Sequence, residues 1–161
     1  MISGGKLTFP GEDWRPVQLT RYSDYSLRVL IYLALAPNRL VTIEDIARSY
    51  GISKAHLMKV VHQLGLAGYV ETVRGRGGGL RLARPAEEIR VGEVVRSTEE
   101  SMALAECFEA GTGQCAIEPV CGLRSVLHEA LAAFLAVLDR YTIEDLVARR
   151  RKPLTRRLVA S

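Results

Sequence analysis

The chain lacks any apolar run that could cross a membrane, because no stretch approaches the about 18 consecutive apolar residues that a spanning helix needs. It also has no charged N-terminal segment followed by an apolar one, so the sequence predicts no secretory signal. Cysteine is scarce, with three residues, and an odd number argues against a framework of disulfides. We therefore expect a cytoplasmic protein without a membrane partner, whose reduced thiols are available for a metal or for redox chemistry.

The first residues lack the periodicity of a helix or a strand. Residues 1–16 are rich in glycine and proline, a composition that favours a flexible N-terminal extension. Along the rest of the chain we find no nucleophile and base whose spacing would place them together in a cleft. The sequence therefore predicts a binding protein and not an enzyme.

Acidic residues are scarce in the front half of the chain. Residues 17–85 carry ten Lys/Arg against four Asp/Glu, whereas residues 86–148 carry four against twelve. A further six basic residues lie between positions 149 and 157, in a basic C-terminal tail over 149–161. A basic surface is what binding to DNA phosphates requires, although charge alone is more typical of an ordinary solvated surface.

Two short helices joined by a glycine are predicted near the centre of this basic half. Thr42 is a good cap for a helix over 42–50, which Gly51 ends, and Ser53 caps a helix over 53–67. A longer apolar helix precedes them, starting near Ser23 and ending at about Ala36. The pair forms a helix-turn-helix pattern, which is also compatible with a simple helical hairpin.

A predicted hairpin follows directly and makes the pattern more specific. Residues 69–73 alternate as a strand, 74–79 form a glycine-rich turn, and 80–82 return. The alternative, a nucleotide phosphate loop, needs a helix after the glycines, and none is predicted there. We therefore expect a winged helix-turn-helix domain over 17–100. The candidate DNA contacts lie at the start of the recognition helix and at the wing tip: Ser53, Lys54, His56, Lys59, Arg74, Arg76 and Gly77.

A loop over 101–121 holds all three cysteines. Seven residues separate Cys107 from Cys115, and five separate Cys115 from Cys121. Thiolates suit both zinc and iron–sulfur clusters. A four-iron cluster takes four protein ligands, so three cysteines leave one position to fill, whereas zinc could add His128. Three unligated cysteines are the remaining alternative, but clustering in a glycine-containing loop favours a metal. The spacing alone does not choose between an iron–sulfur cluster and zinc.

The longest periodic run follows the last cysteine. Apolar residues at 123, 127, 131, 134 and 138 lie on one face of a helix, with a second stripe beside them. The partner of this wide apolar face is either the chain's own head domain or the same helix of a second copy. A second copy gives a two-fold homodimer for a palindromic DNA site. The fold class is therefore mainly α, with a two-stranded wing and a long C-terminal dimerisation helix and short cap helix over 122–148.

Four segments together resemble the Rrf-type winged-helix regulators, from about residue 17 to residue 147. They are TRYSDYSLR (20–28), GISKAHLMKVV (51–61), VRGRGGGL (73–80) and the three-cysteine loop. The resemblance implies a dimeric bacterial transcription factor that binds an iron–sulfur cluster through Cys107, Cys115 and Cys121. It also implies that Asp24 of the partner subunit is the fourth ligand, with Arg28 beside the cluster. An acid at a helix start, paired with Arg28, would also explain Asp24.

Within this family, the phrase HLMKVV (56–61) and the aspartate at position 24 are similar to the nitric-oxide-sensing NsrR type. The phrase MALAECFE (102–109) is similar to the iron-responsive RirA type as well. The resemblance thus implies a repressor whose operator binding depends on a cluster, of the four-iron rather than the two-iron kind, that senses nitric oxide. An iron-responsive regulator is the alternative of the same class, and a zinc-stabilised protein-interaction module is the alternative of another class.

Overall fold

The computed structural model describes residues 18–105, 108, 117 and 120–159. Cys107, Cys115 and the predicted extension over 1–16 lie outside the described residues. The described part contains seven α-helices, one 3₁₀ turn and one antiparallel hairpin. In chain order they are α1 (Arg21–Leu35), α2 (Ile43–Tyr50), α3 (Lys54–Leu66), β1 (Val70–Val73), β2 (Gly79–Leu82), the 3₁₀ turn (Ala86–Glu88), α4 (Val91–Thr98), α5 (Gly122–Asp139), α6 (Ile143–Ala148) and α7 (Arg151–Leu158).

Helix α1 is the centre of the core. Its two apolar stripes predict burial on more than one side, and Val29 and Leu30 are indeed fully buried. The helix contacts α3, α4, α6, α7 and strand β2. The helix begins at Arg21, slightly before the predicted start near Ser23, because Thr20 caps it by accepting a hydrogen bond from the Ser23 N–H at 3.2 Å. Ser23 itself is buried.

The helix-turn-helix has the predicted caps. Thr42 and Asp45 form a reciprocal capping box at the start of α2, with hydrogen bonds of 3.0 and 3.1 Å between each side chain and the other's backbone N–H. Gly51 ends α2 in the left-handed conformation, with φ of 64°, where a side chain would be strained. Ser53 then caps α3. The sequence-based bounds of both helices are confirmed to within a residue.

The predicted wing is confirmed as an antiparallel hairpin. Its register pairs Val70 with Leu82 and Val73 with Gly79. A third strand position comes from Val41, which exchanges two backbone hydrogen bonds of 2.8 and 3.0 Å with Leu80. The segment between α1 and α2 is therefore hydrogen-bonded to the wing, and these bonds fix the position of the hairpin relative to the helix-turn-helix.

The C-terminal part consists of the long helix α5 and two short helices. Helix α5 begins where the predicted range of 122–148 begins, and Thr142 caps α6, the predicted short cap helix. The basic tail forms helix α7, which the sequence does not predict. No helix in the described part of the chain is long and apolar enough to span a membrane.

Candidate nucleic-acid interface and cluster site

The first turns of α3 expose the polar residues that the sequence singles out. Leu57, Val60 and Leu64 are buried on the inner face of the helix, and this orientation turns the other face to solvent. Four of the predicted DNA contacts are exposed on that outer face: Ser53, Lys54, His56 and Lys59. A helix that presents its N-terminal polar residues outward is the arrangement that reads a major groove.

Local contacts hold two of these residues in place. The Ser53 hydroxyl oxygen lies 3.0 Å from Nδ1 of His56 and accepts the backbone N–H of His56 at 3.4 Å. Lys54 forms an exposed ion pair with Glu44 of α2. An exposed ion pair is worth little, so Lys54 can exchange it for a phosphate. Lys59 has no ion pair among the described residues.

The wing tip carries two arginines next to glycines with positive φ. Gly75 and Gly77 have φ of 105° and 79°, which a side chain rarely adopts. A Cβ at Gly78 would lie 2.3 Å from the Val73 carbonyl oxygen. Arg74 and Arg76 are exposed, and in the described part of the chain neither has an ion-pair partner. The tip can therefore approach another surface closely with two uncompensated charges.

The base of the wing is anchored to α4 by residues that sequence reasoning missed. The Arg84 guanidinium donates to the Glu93 carboxylate at 2.5 Å and lies 4.9 Å from the centre of the Tyr69 ring. The Tyr69 hydroxyl donates to the same carboxylate at 3.2 Å. Burial raises the pKa of Tyr69, and the hydrogen bond to Glu93 raises the pKa of Arg84. No local pattern reveals this triad, because Tyr69 and Glu93 are distant in sequence.

The predicted pairing of Asp24 with Arg28 is confirmed. The guanidinium donates to both carboxylate oxygens, at 2.9 Å from Nε and 2.8 Å from a terminal nitrogen. The Asp24 side chain is nevertheless 44% exposed, at the edge of a groove formed by the start of α1. The Arg28 guanidinium lies 5.7 Å from the Tyr50 ring, and burial raises the pKa of Tyr50 to about 12.

Cys121 is the one cysteine within the described residues. It is half-buried, forms no disulfide there, and occupies the N-cap position of α5 without a side-chain capping bond. The N-terminus of a helix favours negative charge. The described residues contain no group of three potential metal ligands, and both other cysteines lie outside this set. The ring of Phe108, next to Cys107 in sequence, stacks on His128 of α5 at 4.2 Å.

The exit of α4 is tied to the start of α1 by a chain of hydrogen bonds. The buried hydroxyls of Ser23 and Thr98 lie 2.7 Å apart. The Glu99 carboxylate accepts the Thr20 N–H at 2.8 Å and the Thr20 hydroxyl at 3.1 Å. The cysteine-bearing segment therefore begins beside the turn of α1 that carries Asp24. Sequence reasoning missed this junction, because its halves lie almost eighty residues apart.

Helix α5 leaves part of its apolar face uncovered. Against the described part of the chain, none of its residues is buried. Leu123 and Val126 are 59% and 60% exposed, and Phe134 and Val137 are exposed as well. Beside them lies an apolar groove of about 450 Å³, formed by α5 and the segment that follows α4. So wide an exposed apolar face indicates an interface.

Comparison with known proteins identifies the family. The family described as "Rrf2: Iron-dependent Transcriptional regulator" matches residues 19–149. The chain is 59% identical over 132 residues to the HTH-type transcriptional regulator NsrR of Bacillus subtilis, covering 81% of this chain and 90% of that protein. It is 55% identical over 132 residues to the NsrR of Bacillus licheniformis, covering 81% of this chain and 92% of that protein.

Solved structures agree in fold. The global cysteine regulator CymR of B. subtilis superposes with a TM-score of 0.68 at 25% identity, over 83% of this chain and 98% of that one. The IscR of T. potens gives the same TM-score and identity, over 83% of this chain and 88% of that one. The predicted winged-helix fold is thus confirmed, and the protein is a DNA-binding transcriptional regulator, not an enzyme. The chain belongs to the Rrf2 family of transcriptional regulators.

Proposed function

We propose that this regulator is a homodimeric repressor whose binding to a palindromic operator is controlled by an iron–sulfur cluster that senses nitric oxide. The observation that carries the proposal is the position of the cysteine segment. It begins at the junction between α4 and the first turn of α1, and it ends at Cys121, where the exposed helix α5 begins. A change in the segment would therefore act on the DNA-binding head and on the dimer helix together.

On the DNA side, the exposed residues of α3 and the wing have complementary roles. The Ser53 hydroxyl, at the N-terminus of α3, suits a backbone phosphate. Lys54 and Lys59 suit phosphates or the guanine edge in the major groove. The uncompensated charges of Arg74 and Arg76 suit a minor groove, which the backbone at Gly77 can approach.

On the dimer side, a second copy is the occupant that best suits the exposed face of α5. Two copies of α5 related by a two-fold axis would cover Val126, Phe134 and Val137 with the same residues of the partner. The axis would also place two recognition helices for two half-sites, which is why we expect a palindromic operator.

The donor chemistry of the described residues fits an iron–sulfur cluster. Cys121 supplies a free thiol at a helix N-terminus, and Asp24 supplies an accessible carboxylate beside a guanidinium. We propose that Cys107, Cys115, Cys121 and Asp24 of the partner subunit hold a four-iron cluster. Such a cluster would supply an iron whose non-thiolate ligand is easily displaced, and which is therefore open to a small molecule.

Arg28 has two tasks in this proposal. It offsets the negative charge of the thiolates and the carboxylate, and it offers Asp24 an alternative partner. In the isolated chain Asp24 already forms a two-point pair with Arg28. Release of the carboxylate from the cluster would thus restore an existing contact. The difference in DNA affinity that a switch requires is modest, since each tenfold change corresponds to about 1.4 kcal/mol.

Anaerobic purification tests the proposal. We expect a brown protein whose visible absorption and operator binding both disappear on addition of nitric oxide. Asp24→Ala should weaken the cluster and blunt the response, whereas Glu87→Ala, which removes an exposed carboxylate distant from α1 in sequence, should do neither. A colourless protein with stoichiometric zinc would refute the proposal, and an unchanged Asp24→Ala protein would remove Asp24 from the ligand set.

The description of the matching family as iron-dependent favours one second candidate. In that case the regulator would respond to the iron supply through the same cysteines. An iron chelator would then abolish operator binding at concentrations that leave a nitric-oxide sensor loaded. Parallel titrations of the anaerobic protein with a chelator and with nitric oxide separate the two signals.

A further inference from the structure

Helix α7 lies beyond the part of the chain that matches the family. The match ends at residue 149, whereas α7 spans Arg151–Leu158. The sequence from 149 to 161 contains six basic residues and no acidic one. Pro153 lies in the first turn of the helix, where the missing N–H costs nothing. The segment is therefore a formed basic helix added to the family domain.

The inner face of α7 is firmly docked. The Arg151 guanidinium donates to the Ala34 carbonyl at 2.8 Å and to both Glu144 oxygens at 2.7 Å. At the other end Leu158 is buried, and its carbonyl accepts the Ser49 hydroxyl at 2.6 Å. Because Ser49 belongs to α2, α7 is fixed to the first helix of the helix-turn-helix.

The outer face of α7 has charges without partners. Lys152, Arg156 and Arg157 are exposed, and within the described residues none of their side chains forms a hydrogen bond or an ion pair. Lys152 and Arg156 are four residues apart on one face, a spacing at which like charges destabilise a helix. The helix is docked although these like charges repel each other. Such a cluster of positive charges is typical of a surface that binds a polyanion.

We propose that α7 is an additional DNA-binding element, which contacts backbone phosphates beside the half-site that α3 reads. This inference depends on the DNA binding in the proposed function, but not on which signal the regulator senses. Helix α2 contacts both α3 and α7. In helix-turn-helix complexes the first helix crosses the phosphate backbone while the second enters the major groove. A basic helix fixed to α2 thus lies next to the backbone, where contacts add affinity without reading sequence.

The salt dependence of binding provides the test. The probe is a duplex selected from a random pool by the full-length wild-type chain, prepared with long and with trimmed flanks. The test variants are Arg156→Gln, Arg157→Gln and the double substitution. Arg140→Gln is the control, because Arg140 is an exposed arginine at the end of α5. Thermal melts by circular dichroism verify that all four variants are folded.

We expect the slope of log affinity against log salt to become shallower by about 1 for each phosphate that a variant no longer neutralises. Between 50 and 200 mM salt, a fourfold change, the removal of one such phosphate contact reduces the fall in affinity by roughly 3.5-fold. A dimer would carry every substitution twice. Trimming the flanks should weaken wild type and Arg140→Gln but leave the double variant nearly unchanged.

Equal salt slopes and equal flank dependence for wild type and the double variant would overturn the inference, and would leave the basic face to an acidic protein partner. A wild-type chain that selects no duplex would refute the DNA binding itself and this inference with it. The selection and the titrations use anaerobically purified protein, so that loss of a cluster cannot be mistaken for loss of DNA binding. The salt slopes can then fail while the cluster still responds to nitric oxide, so the two proposals can fail separately.

Discussion

The buried contact between Ser23 and Thr98 is the junction whose perturbation should be most informative. The two residues are 0% and 5% exposed, and their hydroxyl oxygens lie 2.7 Å apart. The Thr98 hydroxyl donates to the Val94 carbonyl at 2.9 Å, so its proton is already committed. We therefore assign the donor role between the two hydroxyls to Ser23. The two hydroxyls form a relay with one direction, from Ser23 through Thr98 to the Val94 carbonyl.

This direction predicts unequal costs for the two substitutions. Ser23→Ala removes a donor while Thr98 keeps its bond to Val94, so the free energy of unfolding should fall by about 1 kcal/mol. Thr98→Val keeps the shape but leaves a buried Ser23 hydroxyl without its acceptor, which should cost about 1–3 kcal/mol. In the double variant the stranded donor is gone. Its destabilisation should therefore be smaller than the sum of the two by about 1 kcal/mol.

Urea unfolding of the four proteins at one protein concentration measures the cycle, since dimerisation would make stability depend on concentration. Thr72→Val, an exposed threonine of β1, is the matched control and should stay within about 0.5 kcal/mol of wild type. The relay would be refuted if the destabilisation of the double variant equalled the sum of those of Ser23→Ala and Thr98→Val to within about 0.3 kcal/mol. So would a Thr98→Val protein as stable as the Thr72→Val control.

Two further predictions concern a helix cap and the exposed face of α5. The Thr42 backbone N–H holds the pKa of Asp45 below its usual value. The ionised carboxylate therefore stabilises the fold at pH values above its unfolded pKa of about 3.9. This stabilisation is lost as the pH falls through the lower pKa of the folded state. In urea melts between pH 5 and pH 2, the free energy of unfolding should therefore fall less for the Asp45→Asn protein than for wild type. Equal pH profiles for the two proteins would contradict this prediction. Phe134→Glu, on the exposed apolar face, should shift the protein from dimer to monomer in sedimentation velocity, whereas Ala132→Glu, on the opposite side of α5, should not. A monomeric wild type would contradict the proposed dimer.

Much of the head domain was predictable because its signals are local. A capping box spans four residues, as between Thr42 and Asp45, and the turn at Gly51 needs only the residue that tolerates positive φ. The hairpin around Gly75 and Gly77 is similarly encoded in consecutive residues. The pairing of Asp24 with Arg28 follows from helical spacing alone. These features depend little on how the rest of the chain packs.

The features that sequence reasoning missed or misassigned depend on distant partners. Ser23 has the character of an N-cap, but Thr20 also does, and the choice is decided by Thr98 and Glu99 at the end of α4. The anchor of the wing to α4 through Arg84 joins residues that share no periodic pattern. Helix α7 is composed of residues typical of a solvated tail, and its order comes from contacts with α1, α2 and α6. Local propensity carries no information on such long-range contacts.

Helix α1 connects the proposed cluster ligand to the DNA-reading surface. Its first turns carry the partly exposed side chains of Asp24 and Arg28, whereas Val29 and Leu30, further along the helix, are fully buried. The helix also contacts α3. A buried helix in a close-packed core moves as a unit, because its neighbours leave no space for a local bend. A force that a cluster on the partner subunit exerts on Asp24 would therefore be transmitted along α1 to the recognition helix α3. In the proposed dimer, this coupling would require no rearrangement within the head, and the cysteine segment would act by changing the orientation of α1 relative to α5.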